Sequence, residues 1–460
     1  MRYLCSYKPI QNHPIMKTKL SSLITITVLV LTTFATQARA DGLGDIIERD
    51  FSPRADSLNS VLVRQFLNTA RGTFWAVPRN QQNRESATTF IYWQQAHAMD
   101  VLVYAYERIK DSNPNLAANY ARYMSLWYDN HANNYCHANN DPTGFYNDFT
   151  DDMCWICCTL LHIADALGEE KYAETARTVF DNYIVPRGWT DDNGFWGLPW
   201  KSDFMERNAC TNGPGCVVAC KLYQRYADEE YLQTAIKIYE WQTNEMKTNL
   251  NNDGRVEEPP LTYTQGTFGE ACRLLYKITG DSKYLTTGVK VINYLCSSSR
   301  CTHRGLLRDE GNTMDQSIFK AVAVPYIVNM ALEEDVSEAY RRTFIRFMQK
   351  NANTLWNNLL LNRYPATYCN YYWGEPVNTD EVPSMGAMVS GCSLMENMAR
   401  LALALLPPTA THIATLPSAD SDACQHQNQP SAIYDLSGRK VESAQAKGIQ
   451  IVNGKKKIVR

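Results

Sequence analysis

A repeat constrains this chain more than any other feature. Leu167-Gly168-Glu169-Glu170-Lys171-Tyr172 leads into Ala176, Val179, Phe180 and Tyr183. Tyr226-Ala227-Asp228-Glu229-Glu230-Tyr231 leads into Ala235, Ile238 and Tyr239, and Thr279-Gly280-Asp281-Ser282-Lys283-Tyr284 leads into Val289, Ile292 and Leu295. Each time an apolar helix ends at a short acidic turn and an amphipathic helix begins. The units recur at intervals of 59 and 53 residues, the length of a helical hairpin plus a long loop. The same rhythm gives about twelve helices between Leu58 and Leu406, among them helices at about 90–110 and 115–133, with no long strand pattern. Inner helices that are apolar all round and outer ones that are amphipathic suit an all-α (α/α)6 toroid of six helical hairpins. An open helical solenoid uses the same units without closure. The loops 189–207, 249–264, 300–315 and 362–384 are rich in aromatic and polar residues and would build a groove at one end of the ring.

The two ends of the chain read differently. Met16-Lys17-Thr18-Lys19, the apolar run 20–34 and Ala38-Arg39-Ala40 have the form of a signal peptide spanning 1–40, with a start before Met16 that reads as mis-assigned. Export to the periplasm, the cell surface or the medium follows as an expectation. No other stretch is long and apolar enough to span a bilayer. Removing the leader leaves 40 basic and 48 acidic residues, a net charge near −8, which argues against nucleic acid. The helical domain is expected over 41–406. Pro407-Pro408 ends its last helix, 407–431 is a Ser/Thr/Ala/Asp/Gln-rich linker, and 432–460 shows apolar alternation around turn signals, a small β-rich tail. Of 14 cysteines, the pairs Cys210/Cys216 and Cys296/Cys301 are close enough in sequence to bridge in an oxidising compartment. Cys154-x-x-Cys157-Cys158 lies on a helix with no matching His cluster, which favours buried thiols over a metal. No metal or cofactor is expected, and the protein is expected to be a monomer.

The stretch with chemical content is Thr150-Asp151-Asp152-Met153-Cys154-Trp155. Apolar residues recur at Met153, Ile156, Cys157, Leu160, Leu161, Ala164 and Leu167, so the two carboxylates stand at a helix N-terminus, where free amides and the helix dipole favour anions. The bland reading is that Thr150 or Asp151 merely caps the helix. The chemical reading is a glycosidase pair: one carboxylate attacks or stabilises an oxocarbenium-like centre, and the other protonates the leaving oxygen. Ten Trp and 27 Tyr could supply faces on which sugar rings stack, and 191–196, Asp-Asp-Asn-Gly-Phe-Trp, adds hydroxyl-binding groups.

At these residues the chain resembles glycoside hydrolase family 76, the endo-α-1,6-mannanases, over roughly 90–406. Tyr92-Trp93-Gln94-Gln95-Ala96 resembles the family's first inner helix, and Asp151-Asp152-Met153-Cys154-Trp155 its Asp-Asp-x-x-Trp signature. Arg207-Asn208-Ala209-Cys210-Thr211-Asn212-Gly213 resembles Lys-Asn-x-x-Ser/Thr-Asn-Gly, with Arg for the usual Lys. Thr262-Tyr263-Thr264-Gln265-Gly266 resembles Tyr-Asn-Gln-Gly, and Asp315-Gln316-Ser317-Ile318-Phe319-Lys320 resembles Asp-x-x-x-Phe-Lys. The family usually has paired Trp after the Gly-rich loop, whereas Trp196 is followed here by Gly197. The resemblance implies a retaining hydrolase with Asp151 as nucleophile and Asp152 as general acid/base. It implies an α-mannan or α-1,6-mannooligosaccharide substrate, held by Trp93, Gln94, Trp155, Asn193, Trp196, Arg207, Asn208, Asn212, Tyr263, Gln265, Asp315, Gln316, Phe319 and Lys320. The tail resembles the short sorting tails of exported Bacteroidetes proteins read by the type IX secretion system.

Three other readings compete. A different (α/α)6 enzyme, such as an unsaturated glucuronyl hydrolase or a sugar epimerase, would want His and Arg clusters. The five His of the helical region (His97, His131, His137, His162, His303) are scattered and none falls in the Asp151 motif. A non-catalytic glycan-binding protein would not need both aspartates, and a helical scaffold would not need aromatics beside them.

Overall fold

The acidic turns of the repeat fold as left-handed corners. The turn residues Gly168, Ala227 and Gly280 have φ of 68°, 52° and 71°, and their amides close back onto the carbonyls of Ala164, Tyr223 and Tyr276 at 2.8–2.9 Å. Glycine accepts this conformation without steric cost, and alanine accepts it at some cost. Asp228 and Asp281 then cap the following helices by accepting from the Glu230 and Lys283 amides at 3.1 and 3.0 Å.

In the computed structural model, the described residues are 42–406, except 80, 82–91, 136–140, 258–260, 360–366 and 378–379, together with the strands of the tail. The leader 1–40 and the linker 407–431 lie outside them. Twelve helices follow in order: α1 Ser52–Phe66, α2 Tyr92–Ile109, α3 Pro114–Tyr135, α4 Thr150–Leu167, α5 Glu170–Val179, α6 Ala209–Tyr226, α7 Glu229–Asn244, α8 Thr262–Thr279, α9 Ser282–Ser297, α10 Met314–Leu332, α11 Glu338–Asn358 and α12 Met385–Leu405. The even-numbered helices form the inner ring: α2 packs on α4, then α6, α8, α10 and α12 in turn, and α12 returns to α2. The ring is closed, which settles toroid against solenoid. No helix of the described residues is long and apolar enough to cross a membrane.

The inner/outer division follows the sequence. On α4 nearly every residue from Met153 to Ala164 is buried, whereas α5 buries only Tyr172, Ala173, Ala176 and Val179, one stripe of the helix. The core is continuous around the ring. Each large side chain wholly withdrawn from water, such as Phe180 or Phe268, contributes about 2 kcal/mol of transfer free energy. Two features depart from the sequence reading. The sixth hairpin is not continuous in sequence: its outer helix is α1 and its inner helix is α12, so the first and last helices of the ring domain lock it. And Cys216 and Cys296 are buried thiols, so neither of the two pairs close enough in sequence to bridge does so. On α6 a six-residue separation points two side chains to different faces. Cys154, Cys157 and Cys158 are buried thiols in α4.

The strands within the ring domain are two to four residues long. The tail is a separate unit. Its strands Ile433–Tyr434, Lys440–Val441, Gly448–Val452 and Lys455–Val459 pair antiparallel, with Val452 opposite Lys455.

Candidate active site

Five of the six inner helices begin at one groove of about 680 Å³. Trp93 and Gln94 come from the first turn of α2, Asp151, Asp152 and Trp155 from α4, Asn208 and Cys210 from the start of α6, Tyr263 from α8, and Asp315 and Phe319 from α10. Placing five helix N-termini around one cleft concentrates partial positive charge where carboxylates sit.

Asp151 and Asp152 are half-buried in the first turn of α4. The N-cap position is Phe149, which has no capping side chain, so neither Thr150 nor Asp151 occupies the N-cap, although first-turn amides do bond the Asp151 carboxyl. The approach to the helix is fixed from outside. Arg187 donates to the carbonyls of Asp148 (2.9 Å) and Asn147 (3.0 Å) and to Thr150 Oγ1 (3.1 Å). Burial raises the Asp151 carboxyl to about 7, although first-turn amides, the Cys210 thiol and the Trp200 indole act to lower it. Asp152 is pushed well above the usual carboxylate range by burial first, then by the charges of Asp151 and Asp315. Burial and like charge thus outweigh the helix dipole.

The floor is aromatic. Tyr263 stacks on Phe319 with ring centres 4.3 Å apart, Phe319 on Trp93 at 6.2 Å, and Trp155 lies 6.4 Å from both Trp93 and Tyr263. Beneath it His97 is wedged against Trp93 and Trp155, and burial lowers it to about 4, so it is neutral. Asp315 accepts from Trp93 Nε1 at 3.1 Å and from Gln94 Nε2, tying α10 to α2 across the ring.

One wall comes from the aromatic loop 189–207 expected to build the groove, at side chains that no motif singled out. The hairpin formed by Pro199–Lys201 and Phe204–Arg207 places Trp200, Phe204 and Glu206 on the groove, and Phe149 packs edge-on against Trp200 at 5.2 Å. Its sequence signal is exposed apolar residues in a polar loop: Phe204 and Met205 are about half exposed. Tyr92 and Cys210 complete the lining.

Of the expected sugar-binding residues, Trp93, Gln94, Trp155, Asn208, Tyr263, Asp315 and Phe319 meet at the groove; the other seven do not line it. Arg207 pairs with Asp191 at 2.6 Å and lies 4.0 Å over the Trp189 ring, bracing the hairpin. Asn212 is buried and clamps Leu198, accepting from its amide and donating to its carbonyl at 2.8 and 2.9 Å. Gln265 is buried, accepting from the Val256 amide at 2.6 Å and donating to the carbonyls of Gly254 and Val291. Lys320 is buried under the floor, donating to the Tyr371 carbonyl at 2.9 Å. Asn193 is on an exposed turn and donates to Glu245. Gln316 sits over the Thr313 cap, and Trp196 packs against Gly188. A side chain at Gly197 would meet Trp241, Arg207 and Asn212 within 3.1–3.2 Å, so a second Trp there has no room.

This arrangement defines a helical toroid carrying paired carboxylates in an aromatic cleft. The chain belongs to glycosyl hydrolase family 76, whose model matches residues 63–408. Among solved structures, the α-1,6-mannanase of Salegentibacter sp. HEL1_6 is 28% identical, with a TM-score of 0.66, over 76% of this chain and all of that one. An inactive variant of that enzyme, with two consecutive aspartates changed to alanine, was solved with α-1,6-mannotetrose (27% identity, TM-score 0.65, 77% of this chain and 100% of that one). A protein of Listeria innocua is 26% identical with a TM-score of 0.64, covering 77% of this chain and 98% of that one. No curated protein matches the chain.

Proposed function

We propose that this protein is a retaining glycoside hydrolase that cleaves α-1,6-mannosidic bonds within mannan backbones, with Asp151 as nucleophile and Asp152 as general acid/base. The observation that carries the reading is the adjacent carboxyl pair at the head of α4, open to the aromatic groove and with no cation beside it among the described residues, in which Asp151 accepts from Trp200 and Cys210 while burial and the charges of Asp151 and Asp315 favour a proton on Asp152. A nucleophile must be held as the anion and a general acid must carry a proton. In the first step a carboxylate oxygen of Asp151 bonds to the anomeric carbon, the glycosidic C–O bond breaks, and the leaving oxygen takes the Asp152 proton. In the second, Asp152 accepts a proton from water, water bonds to the anomeric carbon, and Asp151 leaves as carboxylate. The stacked Trp93, Phe319 and Tyr263 offer faces for sugar rings, and Asn208, Gln94 and Asp315 offer hydrogen bonds. The inactive Salegentibacter variant, altered at two adjacent aspartates and solved with a mannooligosaccharide, supports the same assignment. Export through the N-terminal leader and sorting through the tail complete the proposal.

The test is digestion of debranched α-1,6-mannan and of branched yeast mannan by the mature protein, with products sized, alongside Asp151→Asn and Asp152→Asn. Internal cleavage of the debranched polymer is expected, with neither variant active on it. With an activated leaving group and azide, Asp152→Asn should yield the α-azide and Asp151→Asn the β-azide. Near-normal turnover in either variant with an unchanged melt overturns the assignment.

A further inference from the structure

Asp151 has two side-chain hydrogen-bond donors, and they reach the same oxygen from different elements. Trp200 Nε1, on the hairpin, lies 3.3 Å from Oδ2, and Cys210 Sγ, in the first turn of α6, lies 3.6 Å from it. The Cys210 thiol has a second acceptor in Asn208 Oδ1 at 3.2 Å, and Thr211 Oγ1 stands at 4.0 Å. One S–H serves one strong acceptor at a time. An ionised carboxylate is the strongest acceptor of this set, whereas a carboxyl carried as a sugar ester has lost its charge. The Asn208 oxygen is held in place by its own role as cap of α6, accepting from the Thr211 amide at 3.1 Å.

We propose that Cys210 and Trp200 are positioning residues for the nucleophile: they hold Asp151 ionised and oriented in the free enzyme, and the Cys210 S–H turns to Asn208 while Asp151 carries the sugar. This rests on Asp151 being the nucleophile. The arrangement favours the charged carboxylate before attack and favours it again as leaving group in the second step. The other charged groups around Asp151 are Asp152 on the same helix, Asp315 at the start of α10, Glu206 on the hairpin, Lys201 over the Phe149 ring and Arg187 on Thr150. Apart from Arg187 and Lys201 they are acidic and oppose ionisation of Asp151, so the two neutral donors matter more than their individual strength suggests.

The test is the pH profile of kcat/KM on α-1,6-mannotetraose for wild type, Cys210→Ala, Cys210→Ser and Trp200→Phe. Loss of a donor to the nucleophile carboxylate raises its pKa, so the acidic limb, set by Asp151, moves to higher pH and the alkaline limb, set by Asp152, stays. For Cys210→Ala a shift of about 0.5–1 unit is expected, seen as a roughly 3- to 10-fold lower kcat/KM on the acidic side. Cys210→Ser, which restores a donor, should return the limb toward wild type. Trp200→Phe, which keeps a ring against Phe149, should move it in the same direction as Cys210→Ala. An unmoved acidic limb in Cys210→Ala, or a serine variant no better than alanine, overturns the proposal. If Cys210→Ala does not fold, the serine variant and Trp200→Phe decide it by the same limb. Asp151→Asn, run alongside, separates the two failures. If it is active, the catalytic reading falls; if it is inactive and the limbs do not move, only the positioning role falls.

Discussion

The inner helices carry two sets of carboxylates, one at the groove on α4 and α10 and one deeper in the ring on α2, α8, α10 and α12, and the two sets are treated oppositely. At the groove, Asp151, Asp152 and Asp315 form no ion pair among the described residues. Further along the inner helices, two turns or more from the groove, each carboxylate of the second set has a cationic partner. Asp100 and Glu107 hold His162 at 2.6 and 3.2 Å. Glu270 and Glu333 share Arg273 at 2.7 and 3.2 Å, with Asn329 and Arg400 linked into the same network, and Glu396 holds Arg108 at 2.7 Å. The paired glutamates Glu270, Glu333 and Glu396 are almost fully buried, whereas the groove aspartates are half-buried or exposed and have no cation, a partnering that suits stability in the first set and the proposed chemistry in the second. A carboxylate left without a cation beside another carboxylate destabilises the fold, and its reactivity is what the fold gains.

The largest effect should come from neutralising the groove. Asp152→Asn is expected to lower turnover on unactivated mannan by about 10²- to 10⁴-fold, without loss of stability. The sign follows from linkage. The Asp152 carboxyl is raised in the folded state, so it favours folding at low pH, and that contribution is lost as pH rises from the unfolded value, about 4. The variant should therefore melt like wild type near pH 4 and above it at pH 8. A variant that melts lower at pH 8 would mean that the pair is structural and would erase the contrast between the two sets.

The deeper set should respond the other way. Arg273→Met leaves Glu270 and Glu333, both almost fully buried, without their shared guanidinium. Breaking a buried pair on one side costs about 3–5 kcal/mol, read by urea denaturation. Turnover of the molecules that remain folded should stay within about twofold of wild type, since no group of this network reaches the groove. A large loss of kcat at full folding would show the two sets to be coupled.

The contrast also marks what was legible in the sequence. The pair Asp151-Asp152 and the helix it heads were readable because an apolar 3.6-residue rhythm starts directly behind two charges. Ring closure through α1 and α12 was not, since no local pattern says which distant helix covers which. Motif residues were read as sugar ligands, yet Asn212, Gln265 and Lys320 spend their polar atoms on backbone groups of neighbouring loops. A short motif cannot separate a side chain that binds substrate from one that clamps the loop presenting it. Trp200, Phe204 and Cys210 escaped for the converse reason. Their direction is set by a hairpin and a helix start whose placement depends on Arg207, Asp191 and Asn212; Trp200 and Phe204 carry no spacing of their own, and Cys210 fell at an unspecified position of its motif and was read only as a partner for Cys216.

A smaller and pH-selective effect is expected at His162. Its partners raise it to about 9 against the opposing effect of burial, above an unfolded value near 6.5. The charged form is therefore stabilised by folding. That contribution is fully present below pH ~6.5 and disappears as pH rises through about 9. His162→Gln should cost at most about 3 kcal/mol at pH 6 and almost nothing at pH 10. A pH-independent cost would mean that His162 acts by packing against Tyr104, 4.5 Å away between ring centres, rather than by charge.

The smallest expected effect is that of salt. The groove carries carboxylates and aromatic faces, with Asp151, Asp152, Glu206 and Asp315 lining it and no lysine or arginine among the lining residues. Such a cleft repels polyanions and gains nothing in Coulomb energy from a neutral mannan. Salt shortens the Debye length from about 10 Å at 0.1 M to about 3 Å at 1 M. It should therefore leave KM for the neutral polymer within about twofold over that range, while a sulfated or uronate-bearing chain should bind poorly at low salt and improve as the repulsion is screened. The buried pairs of the deeper set are shielded from salt by the protein, so the melt should also move little. KM rising steeply with salt would require a charged substrate and a cationic contact that the groove lining lacks. It would turn the acidic cleft from a site selective for neutral glycans into one whose ligand has yet to be found.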